Sequence, residues 1–166
     1  MLNPDDLIAA WVAKLQDIPE LVEALGDSDN IQGYFDQFPS QSNLRVALLK
    51  QPPGSILVVF NGTDNRRVGT AIQFRHKFSF QVKAPEAVAG GVSYGYLWFL
   101  FVNGVCETDN PGDLPLLHLP IDDGCYPMDL DLPQAQRSSI LTSVDGATLD
   151  LFEIQASLVE TGDNQG

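Results

Sequence analysis

Polar and apolar residues alternate without a break over positions 68–82. Val68, Thr70, Ile72, Phe74, His76, Phe78, Phe80 and Val82 share one face, and Arg67, Gly69, Ala71, Gln73, Arg75, Lys77, Ser79, Gln81 and Lys83 share the other. A period of two marks a strand with one buried face. Fifteen residues at ~3.3 Å each would reach roughly 50 Å, whereas a compact chain of this length is roughly 40 Å across. The strand must therefore bend, break or project beyond its own domain, which suggests a protein that touches copies of itself.

The rest of the chain predicts a smaller set of elements. Asn3 suits a helix N-cap, Pro4 the first helical position, and Asp5 and Asp6 the positive end of the dipole. Leu7, Ile8, Trp11, Leu15, Ile18, Val22 and Leu25 follow at helical spacing, with a kink or restart expected at Pro19 and a stop at Gly26. Residues 27–41 read as loop with one helical turn, anchored by Tyr34, Phe35 and Phe38. A second helix from Ser42 turns Leu44, Ala47 and Leu48 inward and ends at Pro52-Pro53. Residues 55–60 are continuously apolar, as in a strand covered on both faces. The turn chemistry of residues 61–65 then predicts an antiparallel hairpin with Arg66 and Arg67 at its tip. Residues 94–102 are apolar all round and read as a helix closed by Asn103-Gly104. An acidic, proline-rich stretch about 107–147 reads mostly as loop, with one or two short strands such as residues 114–119. A last strand turns Phe152, Ile154, Ala156 and Leu158 inward, and residues 161–166 form a polar, frayed tail. The expectation is one α+β domain over residues 1–160, carrying the acidic insert. Its mixed or antiparallel sheet has a long β-hairpin, with helices packed on one face.

Composition sharpens that picture through the placement of charge. The net charge is −13, yet residues 45–83 hold seven of the nine cations and a single acid, Asp64. Residues 1–44 balance at −7 and residues 84–166 at −12. A basic ribbon between acidic flanks can attract a second copy, whereas the overall charge repels nucleic acid at long range. No run reaches the ~18 apolar residues of a membrane span. The acidic start is unlike a secretory signal, and two cysteines, Cys106 and Cys125, read as free thiols in a reducing compartment.

Catalytic patterns are sparse. Gly91-Val92-Ser93-Tyr94-Gly95 fits G-x-S-x-G, with Asp113 and His118 following in triad order, but no strand precedes the serine to aim its hydroxyl. His76 and His118 are isolated and read as core or solvated histidines. Asp122, Asp123, Asp129 and Asp131 could gather around Ca²⁺ but lack a fixed-spacing loop. No Walker motif, dinucleotide fingerprint or C-x-x-C pair is present. The residues thus favour a protein that is not an enzyme and needs no cofactor or metal.

The order of elements resembles a known family. A Trp stands in the second turn of the first helix, and residues 48–63 (LLKQPPGSILVVFNGT) run from helix to strand through a Pro-Gly step. Residues 76–82 (HKFSFQV), an aromatic helix and a closing LDLFEI at 149–154 complete the pattern. This resembles the tail terminators, or tail-completion proteins, of long-tailed bacteriophages, the minor tail protein U type. The acidic insert departs from the compact core of that family.

The resemblance implies a structural virion subunit, made in the bacterial host cytoplasm. It would form a hexameric ring on the tail tube, stop tube polymerisation and join the tail to the neck. It also implies tail-tube and neck partners, passage of DNA through the channel without specific binding, and no membrane role. Asp64, Asn65, Arg66, Arg67, Arg75, Lys77 and Lys83 become the candidate subunit or tube interface. Neighbouring connector rings (neck or head-closure) and a monomeric ligand-binding domain are the alternatives.

Overall fold

In a computed structural model the described residues are 1–35, 41–83, 94–105, 116–121, 124–137, 141–142, 148–149 and 152–163. Among these residues four α-helices accompany a six-stranded mixed sheet and a separate two-stranded sheet, so the fold is α+β. The helices are α1 (Pro4–Gln16), α2 (Pro19–Leu25), α3 (Gln41–Lys50) and α4 (Tyr94–Val105). The strands are β1 (Ile31–Gly33), β2 (Ser55–Val68), β3 (Ala71–Lys83), β4 (Leu116–Ile121), β5 (Gly124–Arg137), β6 (Leu141–Thr142), β7 (Thr148–Leu149) and β8 (Phe152–Asp163). The large sheet runs β1-β2-β3-β8-β5-β4, with β1 parallel to β2 and all other pairs antiparallel.

Local chemistry fixes α1 as expected: the Asn3 side chain accepts from the Asp5 N–H, and Pro4 opens the helix. The chain restarts at Pro19 and stops at Gly26. The restart changes the helical phase, so Leu21 is fully buried while Val22 is only half-buried. Residues 27–41 hold more than a turn. A 3-10 segment (Ser28–Asn30) leads into β1, three residues too short for any periodicity to announce.

One sheet face carries the main core. Ile56 and Val58 from β2, Phe78, Phe80 and Val82 from β3, and Ile154, Ala156 and Leu158 from β8 meet α1, α2 and α4. Trp11 is the hub: its ring lies 4.8 Å from Phe80 edge-on, 6.1 Å from Phe78 and 6.3 Å from Phe101. Each such ring contributes about 1.5–3 kcal/mol through burial alone. From α4, only Leu97, Leu100, Phe101 and Val105 are buried, while Tyr96 and Phe99 stay exposed. Gly104 does not end α4; it lies inside the helix, where a Cβ would collide with the Ile18 side chain.

Three of the four helices thus cover one face, and α3 lies on the other. There Leu48 packs on Leu57 and Val59 with Tyr34, Leu44 and Ala47 around it. This is why residues 55–60 are apolar on both sides. Gln51, just after α3, donates to the Gln81 carbonyl at 2.8 Å, and Lys83 donates to the Gln51 carbonyl at 2.9 Å.

The acidic insert is not mostly loop. It supplies β4 and the fourteen-residue β5, and β5 pairs with β8. The two prolines of β5 are tolerated by position. Pro133 falls in a register shift between Asp131 and Gln134, and Pro127 lies where β5 pairs with β4 but not with β8. Nor is the chain frayed from Thr161, since β8 continues to Asp163 and pairs with β3 as far as Ala71. Phe38 and residues 164–166 lie outside the described residues.

Candidate functional site

The long ribbon is a β2–β3 hairpin, but its tip is not at residues 64–67. The strands turn through Gly69-Thr70, with Val68 paired to Ala71. Gly69 has φ +62°, at the first central position, where type II′ turns place glycine. The Asn61-Gly62 pair forms a β-bulge instead, with Gly62 at φ +111°. The same residue types suit both uses, and pairing with β3 decides between them.

The bulge has a further effect. An extra residue in one strand shifts its side-chain phase by one. Before the bulge, Phe60 faces the core opposite Phe78; after it, Thr63, Asn65 and Arg67 take the core side opposite His76, Phe74 and Ile72. Asp64 and Arg66 therefore lie on the other face with Gln73, Arg75 and Lys77. The predicted interface residues divide accordingly. Asp64, Arg66, Arg75 and Lys77 come together, and Lys77 Nζ lies 3.2 Å from Asp64. Asn65 and Arg67 line the opposite side with Ile72 and Phe74. Lys83 shares the first face but sits roughly 20 Å down the strand from Lys77, bonded to Gln51.

Where the ribbon leaves the core, a partly buried polar network spans three strands and the start of the chain. His76 is fully buried. Its Nδ1 lies 2.9 Å from Thr63 Oγ1, and its Nε2 lies 2.9 Å from Glu160 Oε2. A carboxylate only accepts, so Nε2 carries a proton and donates it to Glu160; in the neutral imidazole Nδ1 then accepts from the Thr63 hydroxyl. Glu160 also accepts from the Leu2 N–H at 3.0 Å, and the Met1 ammonium lies 3.6 Å away. Burial pushes the Glu160 carboxyl up, but hydrogen bonds from His76 and Leu2 and the nearby ammonium outweigh it and hold the group below its ordinary value.

Hydroxyl, imidazole and carboxylate in series are also the parts of a nucleophile relay. Here the imidazole is sealed from solvent, and its Nδ1 rather than Nε2 meets the hydroxyl. The network therefore ties the ribbon base to β8 and to residues 1–2. His76 is a satisfied core histidine, as its place on an apolar face suggested. Its partner Glu160 is 84 residues away in sequence, and only the β3–β8 register brings the two together.

Beyond this point burial falls away, although β3 remains paired with β8. Residues 64–70 are all exposed, and Ala71, Ile72, Gln73 and Phe74 are half-buried. The outer edge of β2 is paired by β1 only at Ile56–Val58. From Val59 to the turn, no strand lies beside that edge among the described residues.

Most of the other candidate residues fall outside the described parts of the chain. Gly91, Val92, Ser93, Asp113, Asp122, Asp123 and Cys106 lie outside the described residues, and for His118, Cys125, Asp129 and Asp131 only the strand positions are described. Among the described residues no group of three His, Cys, Asp or Glu is placed to hold a metal ion. No helix among them is long and apolar enough to cross a membrane. No family model matches the chain, and no curated protein is significantly similar to it.

Proposed function

We propose that this chain is a structural subunit of a bacteriophage tail. Copies associate into a ring at the head-proximal end of the tube, end tube polymerisation and join the tail to the head or neck. The observation that carries the self-association is the distal half of the β2–β3 ribbon. It continues roughly 20 Å past His76, beyond the buried core, with a cluster of cations and a β2 backbone edge that no strand among the described residues pairs. Natural proteins blunt or cover long free edges, because such an edge accepts another strand. The tail setting comes from the resemblance in the order of elements. No bond is made or broken in this role; the chemistry is shape, strand pairing and charge.

The direct test is electron microscopy of tails assembled without this protein. Overlong tubes support the terminator reading. Tubes of normal length that fail to join heads point instead to a neighbouring neck or head-closure ring, and normal, joined tails remove both.

A further inference from the structure

A second surface complements the ribbon's outer end. Between α2 and α4 lies an open groove of about 310 Å³, lined by Ile18, Glu20, Phe99, Leu100, Asn103 and Gly104. Phe99 is 55% exposed and stacks on Tyr96, itself 48% exposed, with ring centroids 6.4 Å apart. Two stacked aromatic rings left in water beside a groove mark a contact surface rather than a fold requirement. Its volume is at the low end of ligand pockets and it is partly open to solvent, which suits the side chains of a macromolecule. Glu20 is exposed at its rim and makes no ion pair among the described residues.

The core-side face of the ribbon end has the reciprocal chemistry. Ile72 and Phe74 lie half-buried beside Asn65 and Arg67. Ile72 is directly opposite Arg67, and Phe74 opposite Asn65. The Arg67 side chain reaches only the Gly69 carbonyl, at 3.4 Å, and makes no ion pair among the described residues. An apolar pair flanked by a cation thus matches an apolar groove flanked by an anion. A chain cannot satisfy its own groove: Leu100 and Phe101 pack against the Phe80 end of the sheet, and the turn is nine residues, roughly 30 Å, further along a straight ribbon. The base of that ribbon is held by the Thr63–His76–Glu160 bonds, and its length by pairing with β8.

We infer that the α2–α4 groove receives the ribbon end of a second copy of this chain, Ile72 and Phe74 packing on Phe99 and Leu100 while Arg67 pairs with Glu20. This rests on the self-association proposed above and names the receiving surface. The two patches differ, so the contact is either exchanged reciprocally in a two-fold dimer or, propagated head to tail as the proposed ring requires, closes a ring or grows a filament.

Sedimentation velocity of the full chain over a concentration series tests this, with circular dichroism to verify that each variant is folded. The wild type is expected to assemble beyond a dimer. Phe99→Ala, at an exposed position, should weaken assembly at least tenfold. Arg67→Glu and Glu20→Arg should each weaken it several-fold at low salt and less at high salt, and the double exchange should restore it. A wild type that assembles while all these variants assemble equally well overturns the groove and leaves self-association standing. A discrete dimer that Phe99→Ala and both charge reversals leave unchanged also overturns the groove. A wild type that stays monomeric at every concentration overturns both ideas.

Discussion

The two halves of the β2–β3 ribbon obey one alternation rule and meet opposite fates. In the inner half, Ile56, Val58, Phe78, Phe80 and Val82 are at most 2% exposed, covered by α1, α2 and α4. In the outer half the same pattern continues through Ile72 and Phe74, yet among the described residues no helix lies over it, and both side chains are only half-buried. Periodicity therefore reports which side of a strand is suited to burial, and says nothing about what does the burying. The inner half is buried by its own chain. The outer half retains a buried-type face that its own core does not reach, and that mismatch is the physical basis for proposing a partner.

The comparison breaks most directly at the hub. Trp11→Ala removes the ring that joins α1 to Phe78, Phe80 and Phe101. It should cost about 3–5 kcal/mol, read by urea denaturation. Val68→Ala in the outer half should change stability by less than about 0.5 kcal/mol. Equal effects would mean the halves are not different.

The boundary between them is sharpened by His76→Leu. This variant leaves Glu160 and Thr63 without their shared partner and should cost about 1–3 kcal/mol. Hydrogen exchange should show the added opening first at residues 62–76. Gly104→Ala tests the groove wall: the new methyl must displace Ile18, at about 1–3 kcal/mol.

Acid gives a further probe. The Glu160 carboxyl is held below its ordinary value in the folded state, so its contribution is complete above the ordinary carboxylate pKa. It is lost as pH falls through the depressed folded value. Denaturation curves recorded at decreasing pH should show this loss, and Glu160→Gln should lack that component. The smallest effect belongs to the exposed Asp64–Lys77 pair, for which a double-mutant cycle should give about 0.2–1 kcal/mol. A larger coupling would mean this pair is shielded from solvent.

Much of the helical framework was legible because its signals are local. The Asn3 cap, Pro4, the Pro19 restart and the Gly26 stop act through neighbouring residues, and the structure places each as expected. The inward faces of β8 and of the inner ribbon followed from alternation. The turn was misplaced because Asn61-Gly62 and Gly69-Thr70 both carry turn chemistry, and the choice depends on the register of a partner strand. β5 was hidden by prolines that a bulge and a one-sided pairing accommodate. Of the candidate interface residues, Asp64, Arg66, Arg75 and Lys77 do gather, whereas Asn65 and Arg67 were turned to the other face by a bulge with no distinct sequence mark.

By itself, the amino-acid order determined the ends of the first two helices, the two-sided character of residues 55–60, the concentration of cations on the ribbon and the presence of an unusually long strand pair. All of these depend on interactions within a few residues or on simple counting. Tertiary structure alone decided where the ribbon turns, which cations share a face, that His76 meets Glu160, and that Phe99 stands open beside Glu20. Each is settled by contacts between residues far apart in the chain, where a shift of one position in strand pairing exchanges the inside for the outside.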